Sequence, residues 1–138
     1  MADIRALADS WAPRVLSLLR ISTALVFMEH GTHKMFNFPY RGPNEAYQLM
    51  TLTPGLTGIL EVGGGLLMLF GLFTRPVAFL LSGEMAVAYW TVHFQKSPFP
   101  YVNGGDAAIL FCFIYLYLAC AGGGPWSVDA VLRKPKTA

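Results

Sequence analysis

Residues Pro54–Phe73 read PGLTGILEVGGGLLMLFGLF, and after Thr74, Arg75 and Pro76 the chain continues VAFLLSGEMAVAYWTVH through His93. Each arm approaches the ~20 residues that a bilayer-spanning helix needs. Only a tight polar break separates them. Each also carries one carboxylate in its interior, Glu61 in the first and Glu84 in the second. Neither run has the polar stripe of a soluble amphipathic helix. The pair therefore reads as a membrane hairpin with an acid buried in each arm.

Composition agrees with that reading. Hydrophobic residues make up 54% of the 138 and charged residues 13%, well below the ~25% charge of ordinary soluble domains. Mean hydropathy is +0.47. The length suits one domain, 1–138. A net charge of +2, with no basic run interleaved with aromatics, gives no footprint for nucleic acid. Cys112 and Cys120 stand eight residues apart in one apolar run. On a helix that is ~12 Å, too far for a disulfide. No CxxC is present, so the cysteines read as packing residues.

Outward from the hairpin, the chain offers two further spans. The first runs from about Pro13 to Phe36, with Pro13 at a first helical position. The fourth runs from about Asp106 to Ala121 and ends at Gly122-Gly123-Gly124-Pro125. Residues 1–12 place Ile4, Leu7, Ala8 and Trp11 at helical spacing, which fits a short interfacial helix as well as a frayed terminus. Asp3, Asp9 and Arg20 argue against a cleavable signal peptide, so the first span is expected to act as its own anchor. In the connection 37–53, Asn44 and Glu45 are suited to start a short surface helix through Leu52. Asp106 is expected to cap the fourth span.

Arg5, Arg14, Arg75, Arg133, Lys134 and Lys136 fall on the side of the termini, and Lys34, Arg41 and Lys96 on the other. The positive-inside rule then places both termini in the cytoplasm. The expected fold is an all-α, four-transmembrane-helix, up-down-up-down bundle with spans at about 13–36, 54–73, 76–94 and 106–121.

An ionisable group at bilayer depth faces the bundle and finds a partner. Arg20 and Glu84 have estimated depths within ~3 Å, so an Arg20–Glu84 pair is expected, as a staple or as part of a site. Gly58 and Gly65 share a helix face with Glu61. Such small residues let a neighbouring helix or a flat ligand approach. Close packing around a protonated Glu61 is the plainer reading, and a ligand or proton site the sharper one. Glu29 and His33 project together above Glu61, and His30 and His93 lie at the same end. Histidine binds metals and shuttles protons near neutral pH. His30, His33 and His93 are metal or haem candidates, but no HExxH or repeated ExxH spacing supports them. His93 is nine residues beyond Glu84, about 180° round an ideal helix, so a shared site requires a kink.

Several motifs in order resemble the DoxX family: Arg20 with Gly31-x-x-Lys34, Glu61-x-Gly63-Gly64 through Gly71-Leu72-x-Thr74-Arg75, Gly83-Glu84-Met85, Asn103-Gly104-Gly105-Asp106, and the tail Trp126-Ser127-Val128-Asp129. One departure is Asp106, where the family more often has Glu; charge and capping ability are kept. The resemblance implies a small bacterial inner-membrane protein loosely associated with redox chemistry. Relatives include a subunit of thiosulfate:quinone oxidoreductase and partners of sulfurtransferase and superoxide dismutase. The leading expectation is a quinone-associated membrane subunit. In it Glu61, Glu29 and His33 bond and protonate the head group, Gly58 and Gly65 leave room for it, and Arg20–Glu84 hold the helices in register. The electron donor is then a partner protein or a small sulfur species, because the chain has no cofactor motif or redox cysteine pair. A non-catalytic anchor for a soluble enzyme and a small transporter or proton pathway are the alternatives, and self-association stays open.

Overall fold

The protein is described here by a computed structural model covering residues 2–40, 42 and 48–133. Arg41, Asn44, Glu45, Lys134 and Lys136 lie outside the described residues, and so does most of the surface helix expected after Asn44. Among the described residues there are helices and no strand. Helix α1 is Ala2–Phe36, α2 is Leu52–Phe70, and α3 is Thr74–Ala88 continued by a π turn, Tyr89–His93. A single turn α4, Pro100–Asn103, precedes α5, Asp106–Ala121, and the short α6, Val128–Arg133, closes the tail.

Helix α1 is longer than its expected span. It is continuous from Ala2, with Pro13 inside it rather than at its start. Proline fits helical φ but supplies no N–H to the carbonyl of Asp9, one turn earlier. Asp9 is exposed, so solvent can take up that carbonyl and the helix continues. At 35 residues it extends ~52 Å, so its amino-terminal turns project past a ~30 Å hydrocarbon layer.

Helix α2 starts where the sequence suggests. Thr53 is extended (φ −132°, ψ 127°), and the Thr51 hydroxyl accepts from the Gly55 N–H at 3.2 Å. The end comes earlier than expected, at Phe70. Gly71 takes φ +69°, which a side chain resists. Its N–H and that of Leu72 bond back to Met68 O (3.1 Å) and Leu67 O (2.9 Å) in a Schellman closure. Asp106 does not cap α5: Gly105 occupies the cap position, with no side-chain bond there. Asn103 organises this junction instead, accepting from the Gly105 N–H at 2.7 Å and donating to Ser97 O at 2.7 Å.

The four long helices alternate in direction. Lys34 meets Thr57 at one end of the α1–α2 pair and Arg20 meets Leu69 at the other. Ser82 bonds Cys112 O at 2.9 Å and Arg75 reaches the end of α5, so α3 and α5 are antiparallel too. Between them Phe27 packs edge-on to Phe111 (5.2 Å) and Tyr115 (5.0 Å), beside Met68, Ala78, Leu81 and Leu118. Large apolar side chains are exposed along all four helices, among them Leu25, Leu66, Phe79 and Phe113. That is the surface of a protein whose solvent is lipid. Two helices, Asp3–Phe36 and Leu52–Phe70, are long and apolar enough to cross a membrane, and Asp106–Ala121 is apolar but shorter.

Candidate functional site

Helices α2 and α3 pack together beside their shared Gly71–Phe73 turn and separate toward the other end. A cavity of about 910 Å³ occupies the gap, with Phe27, His30 and Lys34 of α1 and Ala107, Ala108 and Phe111 of α5 behind it. Glu61 and Glu84 both line it, one from each facing helix.

Glu61 is 2% exposed and sits in a π turn, Leu60–Gly64. Such turns interrupt α-helices mostly at sites that need a side chain redirected. Lys34 reaches down from α1 and donates to Glu61 Oε1 at 2.7 Å and to the Thr57 hydroxyl at 3.3 Å. Lys34 is the one partner of Glu61 that the sequence reading missed. It was legible in part, because Gly31 and Lys34 share a face of α1. A Cβ at Gly31 would lie 2.8 Å from Glu61 Cβ and 2.9 Å from Val62 N. The bare backbone at 31 thus brings α1 close enough for the lysine to reach.

Glu84 is different. Both its carboxyl oxygens are buried without a hydrogen-bond partner, as are Glu61 Oε2 and the Tyr115 hydroxyl. Buried polar groups in folded proteins nearly always have partners, and each exception calls for an explanation. Here two of the residues involved border one cavity.

The expected Arg20–Glu84 pair does not form. Arg20, midway along α1, is fully buried at the other end of the bundle and spends its guanidinium on carbonyls: Gly123 O at 2.9 Å, Leu69 O at 2.6 Å, Trp126 O at 2.5 Å, and Met68 O. Two of these are the final carbonyls of α2. They lie in the last turn of α2, at the negative end of its dipole, and Met68 O shares the guanidinium with the Gly71 N–H. They hold the arginine more closely than a carboxylate across the bundle would. Equal depth was a necessary condition for the pair and not a sufficient one.

The tail completes this end. Arg75 covers the last turn of α5 through Ala119 O (3.1 Å), Cys120 O and Ala121 O (3.5 Å). Asp129 accepts from the Phe73 and Thr74 N–H groups at 2.9 and 2.8 Å and so caps α3. Partial burial works against the Asp129 charge. The hydrogen bonds from Thr74 and Phe73, with Arg133 nearby, outweigh it and hold the carboxyl below its ordinary range.

The other candidates are scattered. Glu29 is exposed and is not part of the cavity lining; His33 bonds Pro39 O at 3.2 Å, also outside it. Gly58 and Gly65 are buried but do not line the cavity, and Gly65 receives Met28 of α1. Gly65 thus serves the packing of α1 on α2. His30 does line it, edge-on to Phe111 at 5.6 Å, and so does His93, bonded to Asn103 O at 3.1 Å. The kink that His93 and Glu84 needed is supplied by the π turn Tyr89–His93. One inserted residue cuts the angle between them to about 80°. Among the described residues, no three His, Cys, Asp or Glu side chains converge as a metal site.

The family model described as DoxX matches residues 15–94. The chain belongs to the DoxX family. An uncharacterised protein of Haemophilus influenzae is 38% identical over 126 residues, covering 88% of this chain and 92% of that one. No solved structure matches. The DoxX motifs quoted above divide between the two ends of the molecule. Gly31, Lys34, Glu61 and Gly83-Glu84 build the cavity. Arg20, Gly71, Thr74-Arg75 and the Trp126–Asp129 tail build the closed end.

Proposed function

We propose that this DoxX protein is a four-span, multi-pass subunit of the bacterial inner membrane with both termini cytoplasmic. In this reading it binds a quinone and works with a partner oxidoreductase in sulfur or oxidant metabolism. The observation that carries the reading is the unpartnered Glu84 carboxyl group beside a cavity bounded by two transmembrane-type helices. An acid at that depth costs a few kcal/mol or more. Retaining it without a protein partner makes sense where a ligand completes its hydrogen bonds.

A quinone head, when bound, takes up electrons together with protons at two ring oxygens. Glu84 accepts a hydrogen bond from a ring hydroxyl or, protonated, donates one to a ring carbonyl. Glu61 keeps Oε2 free for the same purpose while Lys34 holds Oε1. The aromatic walls Phe27 and Phe111 suit a flat ring. His30, His93 and Lys34, at the wide end, offer a route for protons to that surface. The carbonyl-saturated Arg20 end gives no comparable route, so the geometry supports a ligand site better than a through-going transport path.

The test is quinone titration of purified protein in nanodiscs. Glu84→Gln and Glu61→Gln are each expected to weaken binding about tenfold or more, the loss of one charge-assisted hydrogen bond. Unchanged affinity in both variants overturns the assignment.

A further inference from the structure

The cavity has a wall that none of the described residues covers. Pro76, Leu80, Gly83 and Val87 follow one another at three- and four-residue steps along one face of α3 with Phe79 beside them, and all five are exposed, with Phe79 at 68%, Leu80 at 54% and Val87 at 56%. Leu56 of α2, 47% exposed, faces the same space. All six line the cavity that contains Glu84 and Glu61. The polar chamber therefore runs without interruption into an apolar groove directed at the bilayer. In lipid no hydrophobic force closes such a groove, because the surrounding tails are as apolar as its walls.

We infer that the ligand enters sideways from the membrane between α2 and α3. Its polar head rests against Glu84 and Glu61, and a hydrocarbon tail lies along Pro76–Gly83 toward the Arg20 end, with Leu56 and Val87 flanking the head on its other side. Glu61 marks the head position: it is almost wholly buried, and one of its oxygens is unpartnered beside the cavity. The Arg20 network stops the groove from continuing as a polar channel. From Glu84 down to Pro76 the stripe covers ~12 Å, so the first ~12 Å of tail touches protein and the remainder lies in lipid. Gly83 lines the groove next to Glu84. A Cβ there would meet nothing within 4 Å, so a large side chain at 83 fits the fold and fills the groove. This inference rests on the quinone reading for the head and adds the tail, the entrance and the residue that controls it.

The experiment uses two photoactivatable quinones in nanodiscs, one with a reactive azide on the ring and one with a diazirine on the proximal tail, and maps adducts by mass spectrometry. Tail adducts are expected on residues 76–83, reduced at least tenfold in Gly83→Phe. Gly63→Phe, at an exposed α2 glycine with nothing within 4 Å and outside the cavity lining, leaves them unchanged. Head adducts near Glu61 and Glu84 with tail adducts spread evenly over lipid-facing residues, or untouched by Gly83→Phe, overturn the lateral entrance and leave the head site standing. Groove residues that crosslink to a second copy of the chain whether or not quinone is present also overturn it. Absence of head adducts above the lipid background overturns the quinone reading and the entrance with it.

Discussion

Arg20 and Glu84 are both charged-type residues set inside apolar helices, yet their surroundings are opposite. Around Arg20 the chain brings together the end of α2 and the loop after α5, so that each guanidinium nitrogen has a carbonyl. Around Glu84 three helices and a π turn leave both oxygens without a donor, beside open space. The first arrangement ties chain ends together; the second leaves bonding capacity unused. The saturated charge and the unsatisfied acid thus occupy opposite ends of one small bundle. The contrast teaches that a buried charge is read from its partners and not from its depth.

That contrast can be broken by substitution. The largest effect is expected at Arg20. Arg20→Met removes the guanidinium from four carbonyls, of which Met68 O keeps the Gly71 N–H, and should lower stability by about 3 kcal/mol or more. Thermal melts of the detergent-solubilised protein check this, and Arg20→Lys should restore only part, because an ammonium cannot reproduce the planar fork. An unchanged melt would remove the distinction between the two ends.

Lys34→Met comes next. It strips Glu61 of its ion-pair partner and should cost about 1–3 kcal/mol. The double variant Lys34→Met with Glu61→Leu should recover most of that loss, and the double-mutant cycle measures their coupling. Additive effects would mean that the 2.7 Å contact contributes little.

Asp129→Asn weakens the cap on α3 and should cost about 0.5–1 kcal/mol at neutral pH. Because the folded-state pKa of Asp129 lies below its ordinary value, its stabilisation is fully present above the unfolded value, about pH 4. It is lost as pH falls through the lower folded value. The gap between wild-type and variant melting temperatures should therefore be constant near neutrality and close under acid. A gap that widens on acidification would contradict the cap.

The smallest change in stability is expected at Glu84. Glu84→Gln removes no protein hydrogen bond, so the melt should move by less than about 0.5 kcal/mol in either direction even as quinone affinity falls. A large loss of stability would show that Glu84 has a structural partner after all and would move it into the same class as Arg20.

Much of this molecule was legible from residue patterns. The helix limits near Pro54, Thr74, Asp106 and Ala121 follow from proline, glycine and apolar run length. The depth of Glu61 and Glu84 followed from counting residues. The partners did not follow. Arg20 finds the Gly123 carbonyl 103 residues away, and nothing local marks the glycine-rich loop as a docking point for a guanidinium. Gly58 and Gly65 showed smoothness without saying which neighbour would use it, and Gly65 is taken by Met28 of α1. The ideal-helix wheel separated His93 from Glu84 because it contains no inserted residue.

The amino-acid sequence by itself determined the family, the helical class, the membrane-type composition and the pair of acids placed deep in apolar helices. Those properties depend on side-chain chemistry and on a periodicity that any helix shares. Only the tertiary structure decided that Arg20 serves carbonyls, that Lys34 serves Glu61, and that Glu84 stands alone at a cavity open along α3. Each depends on which backbone groups are left over at distant helix ends and on local π turns, and both are properties of three-dimensional packing rather than of spacing along the chain.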